Sequence, residues 1–183
     1  MKQASSLWQW AGFAVATFGG TLLHFLYDWT GGSIFVTPFS GVNESTWEHM
    51  KLLFWLLFLF ALVQRLFFKD QENYWCIKLR EILLGLTLIP VLFYTYNGIL
   101  GKSPDWINIA IFYISAALVF LFEWWAFQQD WPQYRYPRLA FSAICLIGVL
   151  FVVFTFSPPQ IPLFRDPVTE DIRHRKLNAF LCL

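Results

Sequence analysis

The sequence predicts an all-α integral membrane protein, a bundle of about five transmembrane helices, and three observations carry that expectation. Hydrophobic residues make up 57% of the chain and charged ones 14%, against about 25% charged in an ordinary soluble domain. The apolar residues collect in runs of about 20, the length a helix needs at about 1.5 Å per residue to cross about 30 Å of hydrocarbon. Tryptophans 75, 106, 124, 125 and 131 stand at the ends of those runs, where an aromatic belt sits at the membrane–water boundary.

The first run covers residues 7–27. It is read as a retained span rather than a signal peptide, because His24 and Asp28 follow it and no small-residue cleavage site closes it. Its Gly19-Gly20 pair suits a close helix approach. The second run, 47–68, opens with "NESTWEH", in which Ser45-x-x-Glu48 has the form of a capping box. The third, 79–96, contains Pro90 and ends in "YTYNG", which suggests a kink and a broken helix end. The fourth is 106–127, with Glu123 near its end. The fifth, 137–157, stops at Pro158-Pro159, which cannot continue a helix. Short linkers favour one bundle over residues 1–169, followed by a tail over 170–183. The connection 28–43 is the longest and carries Gly31-Gly32, Pro38 and Gly41, as suits a loop that dips into the interface or lids a cavity.

Charge and cysteines narrow the classes. A net charge of +1 argues against a nucleic-acid partner, which requires a basic face. The three cysteines, Cys76, Cys145 and Cys182, form no CxxC pair and read as small hydrophobes. The expected partners are the lipid bilayer and further copies of the chain. Lys2, Arg65, Lys69, Lys78, Arg80, Arg135 and Arg138 fall on one side of a five-span topology, and Lys51, Lys102 and Arg165 on the other, close to the membrane; Arg173, Arg175 and Lys176 lie further off in the tail. That bias predicts a membrane protein with its N-terminus in the cytoplasm and its C-terminus outside.

The same topology brings His24, Asp28, Glu44, Glu48, His49, Asn97 and Asp166 to the outer face. Each has an ordinary alternative: Glu48 as a cap, Glu44 as a solvated loop residue, His24 as a helix–helix hydrogen bonder, Asp166 as a partner of Arg165. Together they are a functional-site candidate, because ionisable groups in or near spans cost several kcal/mol unless paired or solvated. The metal-ligand candidates are His24, Asp28, Glu44, His49 and Asp166; the catalytic candidates are Glu44, Glu48, His49 and Asp28. Imidazoles with carboxylates are the donor set of a divalent metal such as zinc, although HExxH is absent. Glu123 either faces the bundle interior or reaches the headgroups.

Four stretches, "LHFLYDWTGG", "VNESTWEHMKLLF", "YTYNGILG" and "IPLFRDPVT", resemble the signature stretches of a family of small bacterial multi-pass membrane proteins of unknown function. The resemblance runs to about residue 169 and implies a helical membrane bundle without implying an activity. The "EDIRHRKLNAFLCL" end departs from that family's pattern. A looser chemical analogy, His and Asp at membrane depth, links the chain to the seven-span zinc hydrolases related to alkaline ceramidases, from which it differs in span count.

Three function classes fit: a metal-assisted hydrolase or transferase on a lipid-type substrate, a small oligomeric ion or proton transporter or channel, and a non-catalytic membrane partner protein. The enzyme reading draws its weight from imidazoles and carboxylates arriving from several helices at once.

Overall fold

A computed structural model describes residues 2–101, 104–129 and 136–167, with the side chains of residues 2–5 and 105 left out. Lys2 as a charge, Lys102, Trp131, Arg135, Cys182 and the tail with Arg173, Arg175 and Lys176 lie outside the described side chains. All five expected helices are present: α1 (Lys2–Trp29), α2 (Thr46–Arg65), α3 (Tyr74–Leu100), α4 (Asp105–Ala126) and α5 (Pro137–Phe156). A 3-10 turn, Pro162–Phe164, follows α5, and there is no strand among the described residues. Helices α2, α4 and α5 are long and apolar enough to cross a membrane. Helices α1 and α3, 28 and 27 residues long, carry more polar side chains, among them Gln9, Lys78 and Glu81.

The first four helices form a ring in which each packs on the next and α4 closes back on α1, while α5 lies outside against α3 and α2. Leu52, Leu53, Phe54, Leu56, Leu57, Ile82, Phe112, Ala116, Val119 and Phe120 fill the centre. Gly19 and Gly20 make the α1 contacts possible: a Cβ on Gly19 would stand 2.6 Å from a Leu56 methyl, and one on Gly20 2.7 Å from the Phe112 ring. Any side chain there would force the helices apart.

Two local expectations resolve differently. Helix α3 runs through Pro90 and through "YTYNG" without a break, and stops only at Gly101, whose φ of +83° favours glycine. The Asn97 amide donates back to the Phe93 carbonyl (2.8 Å), one turn earlier in the helix. The capping box is half formed. Ser45 is the N-cap of α2 and its hydroxyl accepts from the Glu48 amide (3.4 Å), but the Glu48 carboxylate goes elsewhere.

The 30–45 connection is folded onto the ring. Helix α1 ends where Gly31 and Gly32, at φ +68° and +85°, turn the chain so that their amides reach the carbonyls of Asp28 and Tyr27. Lys51 of α2, fully buried, then ties the loop down by donating to the Thr37 carbonyl (3.0 Å) and the Thr155 hydroxyl (3.3 Å) while pairing with Glu48 (2.6 Å). The Trp55 indole donates to the Pro38 carbonyl (2.9 Å). Lys51 is therefore an internal strut rather than a loop charge at the membrane surface. Trp106, Trp124 and Trp125 are exposed at helix ends, while Trp75 packs on Phe141 at 4.5 Å. Cys76 and Cys145 are free thiols.

Candidate metal centre

Three of the expected residues meet at the open end of the ring. His24 comes from the last turns of α1, Glu44 from the loop and His49 from the first turn of α2. Glu44 stands between the two rings: its Oε1 is 3.2 Å from His24 Nε2 and its Oε2 is 3.8 Å from His49 Nε2. One donor atom from each of the three lies within 4.8 Å of the others. Donor atoms about 2.1 Å from a tetrahedral metal stand about 3.4 Å apart, so the set is of the right size to close on one ion. Two imidazoles and a carboxylate are the donor set of many zinc and non-haem iron centres.

The backbone prepares this arrangement. The Ser45 that caps α2 leaves its carbonyl facing His49 Nδ1 at 3.0 Å. A carbonyl only accepts, so the ring proton sits on Nδ1 and the Nε2 lone pair points at Glu44. Metal-binding histidines are commonly oriented by such a bond. A lone pair opposite a carboxylate oxygen at 3.8 Å is two acceptors facing one another, which is unfavourable until a cation or proton lies between them. On the other side, the loop returns along α1 with the Gly41 amide on the Leu23 carbonyl (3.2 Å). A Cβ at Gly41 would stand 3.3 Å from His24 Nδ1, so the backbone itself walls in that ring. The His24 hydrogen bond, foremost, holds the Glu44 carboxyl below the usual carboxylate range, against the opposing pull of its partial burial.

The other candidates take different places. Asp166, buried, accepts a hydrogen bond from the Glu44 backbone amide (3.3 Å) and so fixes the loop that carries Glu44. Glu48, also buried, accepts from the Val42 amide (2.9 Å) and pairs with Lys51. Asp28 is exposed, one turn beyond His24. Helix phase explains the split between Glu48 and His49: adjacent residues on α2 point about 100° apart.

A cavity of about 460 Å³ adjoins the three residues, between α1 and α4 and over Leu52 of α2. Phe25, Ile109 and Phe112 make its walls apolar. Asn108 and a hydrogen bond between the Thr21 and Tyr113 hydroxyls (3.0 Å) add polar points. Asn108 and Tyr113 escaped the sequence reading, although two polar residues five apart inside an apolar run were a signal for them.

The chain matches a family of unknown function over residues 1–172. It belongs to the DUF6512 family. No curated protein and no solved structure matches it. Membership in DUF6512 carries no activity, so a functional reading rests on the geometry of His24, Glu44 and His49.

The sequence reading missed a second polar cluster, at the other end of the ring. Lys78 of α3 pairs with Glu81 of α3 (2.8 Å) and with Glu123 of α4, all three almost wholly buried. Lys78 therefore does not act as an interfacial charge, and Glu123 faces the bundle interior.

Proposed function

We propose that this DUF6512 protein is a membrane enzyme in which His24, Glu44 and His49 hold one divalent metal, zinc foremost, and that it hydrolyses or transfers a group on a lipid-type substrate. The observation that carries the reading is the juxtaposition of a three-donor cluster with an apolar cavity of about 460 Å³ open beside it. A cavity of that size and lining suits an acyl or prenyl segment, and it places the polar end of such a molecule against the cluster. A metal held there would polarise an acyl or phosphoryl oxygen and lower the pKa of a bound water.

The chain's own residues divide the remaining work. Ser45 and Gly41 orient the two imidazoles, Asp166 holds the Glu44 loop, and Asp28, one turn beyond His24, is an exposed carboxylate in the role of general base. With Lys51 and Lys78 set aside as buried, Arg65, Lys69, Arg80 and Arg138 against Arg165 support an outward-facing site with the N-terminus inside. The resemblance to small bacterial membrane proteins supports the bacterial cytoplasmic membrane.

One observation weighs against a transport path within a single chain. His24 and Glu44 lie at one end of the ring and Glu123 at the other, with the apolar core of Leu53, Leu56, Phe112, Ala116 and Val119 between them. The test is elemental analysis of protein purified in detergent without chelators. About one zinc, manganese or iron per chain is expected, lost in His24→Ala and His49→Ala while the helix content stays. A wild-type protein that holds and binds none of the three metals would refute the proposal.

A further inference from the structure

The ion triad at the closed end is organised unlike the metal centre. Lys78, Glu81 and Glu123 are each exposed by 1% or less. One ammonium faces two carboxylates, so with all three ionised the triad carries one uncompensated negative charge. Glu81 Oε1 and Glu123 Oε2 are buried without a hydrogen-bond partner. The Gln64 amide nitrogen, equally buried in α2, also lacks one, while its oxygen accepts from Tyr74 (3.0 Å), whose ring lies 5.8 Å from Lys78 Nζ.

Among the described residues the ion pairs of Glu81 and Glu123 are with Lys78, and half-buried Arg80 of α3 is in neither. From α2, Arg65 lies over the Tyr74 ring at 5.3 Å and spends its donors on the carbonyls of Phe68 and Gln71. Tyr74 donates to the Ala61 carbonyl and Gln64. On α1 the buried polar residue toward this end is the neutral Gln9, and α5 presents buried Ala140 and Ile144 to the bundle while its Arg138 is exposed.

A net charge buried in a medium of low dielectric costs far more than placing a proton on one of two adjacent carboxylates. Both carboxyl groups touch the same Nζ, so they are neighbours and share whatever neutralises them. We propose that Lys78, Glu81 and Glu123 form a second site, a proton-binding site that holds one proton between the two carboxyl groups when the protein is at rest. The proton comes from solvent and forms an O–H bond on one of the two unpartnered oxygens. The neutral unit is then one ammonium, one carboxylate and one carboxylic acid. The proposal is independent of the metal centre.

Infrared spectroscopy of the protein in lipid nanodiscs at neutral pH tests it, because a protonated carboxyl has a carbonyl stretch that an ionised one lacks. Charge balance sets the expected intensities: one protonated carboxyl from the triad in the wild type, none in Glu81→Gln or Glu123→Gln, and two in Lys78→Met. Glutamine imitates the protonated acid, so at least one of the two single Gln variants must fold as the wild type does. Failure of both to fold overturns the proposal. So does a wild-type band that persists at full strength in both variants, or its absence from the wild type. A band that appears only when sodium is replaced by a bulky organic cation would identify an alkali-ion site instead, and would also overturn it.

Discussion

At one end of the ring His24, Glu44 and His49 keep 25%, 40% and 13% of their side-chain surface exposed, and at the other Lys78, Glu81 and Glu123 keep 1% or less. The chemistry differs with the exposure. The open end has two imidazoles and a carboxylate between them, next to a cavity that a molecule can enter. The closed end has one ammonium between two carboxyl groups, and the cavity of about 430 Å³ at that end is lined by Gln9, Trp10, Phe120 and Trp124 among others and by no member of the triad. Water screens the first set, so its ion pairs add little to stability, and its donors remain available to a ligand. Protein packs the second set, so any imbalance is expensive and a proton is the natural species to correct it.

That contrast can be broken most directly at the closed end. Replacing both acids, Glu81→Gln with Glu123→Gln, strands Lys78 as a buried charge without a counter-charge. A loss of about 3–5 kcal/mol is expected, read as unfolding in mixed micelles. A double variant as stable as the wild type would show that the triad is not the sealed ion cluster described here.

The next largest effect belongs to Lys51. Lys51→Met removes the partner of buried Glu48 and two ties to the loop and α5, at about 3 kcal/mol. Faster amide exchange across 30–45, with the far end of the ring unaffected, checks it.

At the open end the effects should fall on ligand binding. His49→Ala should abolish metal binding while the unfolding midpoint moves little. Asp166→Ala, which frees the Glu44 amide, should weaken metal affinity about 10- to 100-fold, as loss of a supporting contact does; competition with a chromogenic chelator measures both. If Asp166→Ala lowers stability but leaves affinity alone, Asp166 serves the fold and not the site.

The smallest effects are those of pH. Histidine ligands must be neutral to bind metal, so affinity should fall as pH is lowered and protons compete for the imidazoles. Glu44 responds in a lower range. Its carboxyl is held below the unfolded value of 4.5, so its contribution to stability is present above that pH and is lost as pH falls through the folded value. A titration of metal affinity that is flat from pH 7 to 5 would remove the histidines from the site.

Much of this was legible in the chain. Apolar runs of about 20 residues placed five helices within a few positions of where they lie, because length and hydropathy are local properties. Sidedness followed from counting crossings, which gathered His24, Glu44 and His49 at one end before any coordinate. The pairing within that end was not legible. Glu44 and Glu48 are chemically alike, and only the path of the 30–45 loop sends the first to two imidazoles and the second to Lys51. The lysines misled for the same reason: Lys51 and Lys78 sit where an interfacial charge is expected, and burial depends on what a neighbouring helix presents. Lys78 and Glu81, three apart on one face, with Glu123 inside an apolar run, were the available signal for the closed end.

What the residues determined alone is the apolar character of the helices, their number and length, and which ends of them meet, since each depends on composition summed along a short stretch. What only the tertiary structure decided is which charges pair, which stay wet and which are sealed. Those outcomes turn on helix rotation and loop path within an ångström or two, and electrostatic energy in a medium of low dielectric changes steeply over that distance.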